Sequence, residues 1–585
     1  MGGVVCKEVM RLNLTKMSGA QAVVEALQRE GVEVVFGHPG GANMPIYDAL
    51  YDLQSFRYTP LNETGVRHIL ARHEQSAAHM ADGYARASGK VGVCMATSGP
   101  GATNLMTGLA TAYMDSSPVV AITGQVPSYV IGTDGFQETD VVGMATSVTK
   151  YTFQPLRVRD VPHSIKAAFY LATTRRPQPV LVDIPKDVQQ AEDDVDFPES
   201  VHFPNYGPLP DPDPMVVKTI GRAILGAQRP VILAGGGVKM ANAYRELQAF
   251  AELLVAPVVT SFMGKGAFPE NHPLSLGCMG MHGSERTNKL IPECDVLLVV
   301  GSRLSDRTTG KIEKFAPSTK VIHIDADKAE IGKNYRLPVV SLVADAKKAL
   351  QALIREVEAG MMGRQRDAWI KRAQEVVVMA KTELDGNGSY LSGAETIRML
   401  RRFLPHKAIV TTEVGQHQMW CEQHFQVIEP RTFFSSGGLG TMGFGFPAAL
   451  GAKIARPDVP VFDVAGDGSF LMTENSLATS IEEQIPVTVV ILNNRMLGMV
   501  AQWQRFFYNR RYSAVHLGRS PDFVKLAESY GAEGVRVNTI PELETAVNRA
   551  IRSPVTTVID VPISPEENVL PMLPPGAGIK EMVVG

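Results

Sequence analysis

The 585-residue chain is poor in cysteine, in net charge and in long apolar runs. Its five cysteines, Cys6, Cys94, Cys278, Cys294 and Cys421, are odd in number and show no CxxC spacing. That argues against a disulfide framework and suits a reducing cytosol. Lys and Arg number 57 against 60 Asp and Glu, a formal charge of −3, so nothing draws the chain generally to nucleic acid or anionic membrane. No unbroken apolar run reaches the about 18 residues of a membrane-spanning helix. The opening MGGVVCKEVMRLNLTK lacks an apolar core followed by a cleavage site, and residues 1–16 read as a short disordered lead. The expected location is cytoplasmic, with an organelle after precursor trimming as the alternative. No short internal repeat is present.

What the chain does have is a regular alternation of short β-branched runs with helical patterns, which predicts α/β architecture with parallel sheets. VEVVF (32–36), VRHIL (66–70), VGVCMAT (91–97) and VVAITG (119–124) are strands of a first unit, 17–190. The Pro- and Asp-rich FPNYGPLPDPDP lies in a linker, 191–214. VILAGGG, VLLVVGS and VIHIDAD belong to a second unit, 215–365. GNGSY (386–390) marks a second junction, and IVTTEVG, VPVFDVAGDG and VTVVILNN belong to a third unit, 366–562, before a tail, 563–585. Three doubly wound domains result, the length being too great for one core.

In the third unit, VPVFDVAGDG is a buried strand running into a turn where Gly466 and Gly468 let the backbone approach a ligand. A helix over 470–483 and the strand VTVVIL complete a right-handed βαβ unit. Asp467 and Asn494, 27 positions apart, then emerge at one carboxyl edge, where ligands bind in open α/β sheets. A carboxylate, an amide oxygen and a carbonyl are hard ligands suited to Mg²⁺ with diphosphate, and N–H groups beside Ser469 suit the phosphates. This pattern resembles the diphosphate motif of thiamine-diphosphate enzymes. The resemblance implies Asp467 and Asn494 as Mg²⁺ ligands, with the carbonyl of Met496 as the third. Such enzymes need a carboxylate at the cofactor's aminopyrimidine. Glu74, opening an Ala-rich helix in RHEQSAAHMADGYAR, matches the stretch that carries it; read locally, it is also a first-turn glutamate favoured by the helix dipole.

Longer strings narrow the resemblance. GHPGGANMPIYDAL, TSGPGATNLMTGLATAYMDSSPVVAITGQVP, GTDGFQETD, VGQHQMW, SGGLGTMGFGFPAALGA and GMVAQWQRFFY are similar to the catalytic large subunit of the acetolactate synthase (acetohydroxyacid synthase) family, over nearly the whole chain. The family implies a three-domain fold: pyrimidine-binding, central FAD-binding-like and diphosphate-binding. It implies thiamine contacts at Pro39, Gly40, Pro100 and Asn104 in the first domain. In the third they fall at Gln416, His417, Gly440, Gly466, Gly468, Ser469, Gly498 and Met499, with Met442 wedged beneath the bent cofactor. Read alone, Met442 is equally an ordinary loop methionine. Gln137 and Lys186 are implied as catalytic, although Lys186 also reads as a solvated loop cation. Gly41, Ala42, Phe136, Arg307 and Trp503 are implied at the substrate, Trp503 otherwise being a core aromatic. A structural FAD is implied against Arg176, Gly235, Gly236, Met281, His282, Gly301, Arg303, Asp325 and Asp345. The chain departs from the family in having RLSDR (303–307) where R-F-D-D-R is usual, and in a longer segment at 53–65.

The implied reaction decarboxylates pyruvate and joins the hydroxyethyl carbanion to a second 2-oxo acid, pyruvate or 2-oxobutyrate, the first common step of branched-chain amino-acid biosynthesis. The family implies a homodimer or homotetramer with sites at the subunit interface, and a small regulatory subunit. The alternatives are a flavin-dependent relative such as pyruvate oxidase, glyoxylate carboligase, whose family lacks the glutamate that Glu74 supplies, or a non-catalytic cofactor-fold protein.

Overall fold

The aliphatic runs fold as strands buried on both faces, as parallel sheets covered by helices require. Val119–Gln125, Val461–Gly466 and Thr488–Asn493 are buried along their whole length. The structure is a computed structural model and describes residues 14–51, 65–335, 340–361, 367–378, 391–519 and 521–584. The predicted GNGSY junction and nearly all of the long segment, 53–64, lie outside the described residues.

Among the described residues three six-stranded parallel sheets form, one per domain. With strands numbered by chain order within each domain, the first and third sheets both run 2-1-3-4-6-5. The middle sheet runs 3-2-1-4-5-6, the order of dinucleotide-binding folds. In each sheet the order reverses at one crevice. In the first it lies between Val34–Gly37 and Gly92–Ala96, in the middle between Pro230–Ala234 and Val296–Val300, in the third between Ile409–Thr412 and Val461–Gly466.

The ends of the first unit differ from expectation. Thr15–Ser18 pairs antiparallel with Glu192–Val195, so ordered structure begins inside the expected lead and runs past residue 190. The helix predicted over 470–483 is two pieces, Asp467–Phe470 and Ser476–Glu482. Between them the Thr473 hydroxyl donates to Gly443 O at 3.1 Å, drawing the chain toward another loop and out of helical register.

The outer domains pack through helices Glu74–Ser88 and Gly445–Ala455. Their backbones approach so closely that a Cβ on Gly83 would overlap the carbonyl of Ala448, and one on Gly451 that of Met80. Phe36, Met80, Phe444, Phe446 and Phe470 join one continuous core across this junction.

Candidate active site

Strand Val461–Gly466 delivers Asp467 to the crevice of the third sheet, and strand Thr488–Asn493 delivers Asn494 beside it. A Cβ on Gly466 would lie 2.7 Å from the His417 ring, so glycine is needed for the turn. Asn494 Oδ1 accepts from Met496 N at 3.0 Å, and its Nδ2 donates to Gln416 Oε1 at 3.2 Å. Asp467 is 2% exposed, and its Oδ2 has no partner among the described residues. Burial lifts its carboxyl to about 7. His417 Nε2 is likewise buried and unpartnered, and burial keeps this imidazole neutral by lowering its pKa to about 3.

These groups line a cleft of about 80 Å³ together with Gly468, Ser469, Gly498 and Met499. Among the described residues no three His, Cys, Asp or Glu side chains cluster as for a protein-caged metal. A single buried carboxylate with an amide and a carbonyl instead suits Mg²⁺ that keeps water and phosphate ligands. The orphaned Asp467 oxygen is the observation that fits such a cation.

Met442 lines both this cleft and a second cavity. Its loop turns at Gly440 (φ 76°) and Gly443 (φ 86°), conformations that favour glycine.

The first-domain residues gather at the carboxyl edge of their own sheet. Glu74 is 8% exposed and accepts from Asn104 Nδ2 at 3.0 Å. Gly40 N donates to Asn43 Oδ1 at 2.8 Å and Ala42 N to Thr97 Oγ1 at 3.1 Å, which fixes the turn containing Pro39 and Gly41. Pro100 opens helix Pro100–Asp115, and Lys186 opens Lys186–Gln190. Gln137 (φ 61°) abuts Gly99, and Phe136 is 90% exposed. Among the described residues none of the first domain lines the Asp467 cleft. Among the described residues Glu74 and the Asp467 cleft are thus separate places on one chain.

The second cavity, about 1000 Å³, opens at the crevice of the middle sheet. Gly236, Gly301, Arg303, Asp325 and Asp345 line it, as do Arg176, Met281, His282 and Arg307; Gly235 stands behind, packed on Gly301. Helix Gly498–Phe507 projects Met499 and Trp503, one turn apart, into the same space. Arg176 is paired with Glu330 at 2.7 Å and Asp327 at 3.3 Å. Burial raises Asp325 to about 6 and keeps His282 neutral, lowering it to about 3. Of the two departures in RLSDR, Leu304 is buried with φ 51° and does not line the cavity, while Ser305 does.

Sequence reasoning missed Glu413 and Glu422, both buried, the latter lining the large cavity. The available signal for Glu413 was an acid at the end of a fully buried strand.

Residues 17–144, 217–353 and 413–561 match, in order, the N-terminal TPP binding, central and C-terminal TPP binding domains of the thiamine pyrophosphate enzymes. The chain is 48% identical to the "Probable acetolactate synthase large subunit" of Methanocaldococcus jannaschii, covering 97% of this chain and 95% of that one. It is 44% identical to "Acetolactate synthase isozyme 2 large subunit" of Escherichia coli, covering 97% and 99%. To "Acetolactate synthase 1, chloroplastic" of Nicotiana tabacum it is 42% identical, covering 97% and 84%. With the diphosphate-type cleft at Asp467 and these matches along its length, the chain belongs to the thiamine pyrophosphate enzyme family, among the acetolactate synthase large subunits.

Proposed function

We propose that the chain is an acetolactate synthase catalytic subunit, a thiamine-diphosphate carboligase that decarboxylates pyruvate and transfers the remaining two-carbon unit to pyruvate or 2-oxobutyrate. The observation that carries this reading is the unpartnered, buried Oδ2 of Asp467 beside Asn494 and Met496. Asp467, Asn494 and the Met496 carbonyl would hold Mg²⁺, and Ser469 and His417 would meet the diphosphate. The bound cofactor supplies a thiazolium ring that accepts the electrons released when CO₂ leaves.

Glu74 would share a proton with N1′ of the bound pyrimidine, in a site dry enough for that hydrogen bond to count. Met442 supports the ring. Gln137, Lys186, Phe136, Gly41 and Ala42 orient the first substrate, Arg307 pairs with a 2-oxo acid carboxylate, and Trp503 shapes the pocket for the acceptor. Exclusion of water by these residues would guard the two-carbon unit against early protonation and loss as acetaldehyde.

The separation of the half-sites supports a homodimer or homotetramer in which Glu74 of one subunit meets the Asp467 cleft of another. The dinucleotide-type strand order and the Gly235–Gly236 turn support FAD in the large cavity as a structural cofactor. A small regulatory subunit and a cytoplasmic location, or an organellar one after trimming, complete the reading. Purified protein given pyruvate alone should form acetolactate, and with 2-oxobutyrate added should also form 2-aceto-2-hydroxybutyrate. Oxygen uptake with acetyl phosphate and no acetolactate would overturn the assignment in favour of an oxidase.

A further inference from the structure

Strand Ile409–Thr412 runs directly into Glu413, whose side chain is fully buried. Burying a carboxyl group is unfavourable unless several donors meet it. Three do. Gly443 N and the Ser469 hydroxyl each donate to Oε2 at 2.6 Å, and Phe446 N donates to Oε1 at 3.0 Å. Burial still pushes the Glu413 carboxyl above its ordinary range. A second buried acid, Asp463, lies close by, its Oδ1 held by Thr411 Oγ1 at 3.0 Å. The sheet gains little from this arrangement, because none of the three donors belongs to a strand.

The donors lie on segments that reach the ligand cleft, which Met442 and Ser469 line. Gly443 follows Met442, Phe446 lies in the first turn of helix Gly445–Ala455, and Ser469 stands two residues after Asp467. Gly443 is also held from its other side, by Thr473 Oγ1 at 3.1 Å. One carboxyl group thus bridges the loop bearing Met442 and the turn bearing Asp467.

We propose that Glu413 is a positioning residue that sets the distance between Met442 and the metal–diphosphate turn, and thereby how the cofactor is bent when its diphosphate is anchored. This rests on the thiamine-diphosphate reading given above. Glu413 lines neither cavity and acts through Met442 and Ser469. A displacement of the ring of the order of 1 Å is enough for a large kinetic effect.

The test uses the Mg²⁺- and cofactor-saturated enzyme and follows exchange of the cofactor's C2 proton for deuterium, by acid quench and NMR, with cofactor affinity measured by calorimetry. In Glu413→Gln the exchange rate should fall about tenfold to a hundredfold at full cofactor occupancy. KM for pyruvate should move less than about twofold, since only orientation is disturbed. Thr411→Val, which unpairs the neighbouring Asp463 without touching Gly443 or Ser469, should lower the melting temperature and leave C2 exchange unchanged. If Glu413→Gln fails to fold, Glu413→Asp withdraws the carboxylate by one methylene and should show the same loss of exchange. Wild-type exchange in either folded variant, or an equal loss in Thr411→Val, overturns the proposal. Failure of the wild-type protein to bind thiamine diphosphate would instead sink the reading on which it rests.

Discussion

The outer domains and the middle domain solve ligand binding with different sheets. The outer two share the order 2-1-3-4-6-5 and pack on each other through paired helices, whereas the middle one runs 3-2-1-4-5-6. The outer half-sites are tight: a cleft of about 80 Å³ on one, a glutamate closed in by Asn104 on the other. The middle crevice opens into about 1000 Å³. A tight cleft suits groups that must be oriented to react, and a long one suits a large molecule held without reacting. The two spaces meet at Met442 and Met499, which line both, whereas Glu74 lines neither, so its loss should leave the large cavity intact.

The largest effect expected is on Glu74. Glu74→Gln keeps the Asn104 contact in shape but removes the acid, and should slow carboligation about 10²- to 10⁴-fold. Flavin content, read from visible absorption, should not change. Loss of flavin in this variant would show the two kinds of site to be coupled. Next comes the junction between the outer domains. Gly451→Ala forces a Cβ into the carbonyl of Met80 and should destabilise by about 3 kcal/mol. Gly226→Ala, at a helix end of the middle domain with open space around it, serves as the control and should be neutral or slightly stabilising. Scanning calorimetry that finds the two variants equally stable would break the picture of a junction tightened by glycine.

Much of this was legible in the sequence, for local reasons. Asp467 and Asn494 could be placed together because one βαβ unit carries both, and the parallel direction of their strands follows from a crossover that carries a helix. Strand order could not be read, since every crossover in these domains is long enough to span one strand or several. The helix over 470–483 was overextended because Phe470, Leu471, Leu477 and Ile481 keep helical spacing across a break made by a bond from Thr473 to a loop 30 residues earlier. Glu74 could be singled out only through resemblance, because read locally it is an ordinary first-turn acid. Glu413 escaped notice because a buried acid and a solvated one are the same letter. Whether each residue of RLSDR reaches the large cavity was not legible either: Arg303, Ser305 and Arg307 line it and the buried Leu304 does not.

The smallest effect expected separates fold from ligand binding in the middle domain, where Asp325 ends strand Lys320–Asp325 at the cavity wall. Burial raises its carboxyl from 3.8 to about 6. The unfolded chain therefore ionises this group at lower pH than the folded one does. Below about pH 4 both forms are protonated and Asp325 has no effect; as pH rises to about 6 it progressively destabilises the fold, and above that the penalty is complete. Asp325→Asn retains an oxygen for its bond from Asp327 N and removes the charge. Flavin-free Asp325→Asn should thus be more stable than wild type at pH 7 by about 3 kcal/mol, with the advantage vanishing near pH 4. The same variant should bind FAD roughly tenfold more weakly, the size expected for one charged hydrogen bond. Lower stability at pH 7 without flavin would mean that the acid is kept for the fold. The expected opposition would mean that the middle domain, like the third with its orphaned Asp467, holds a buried carboxylate for its ligand at the expense of its own stability.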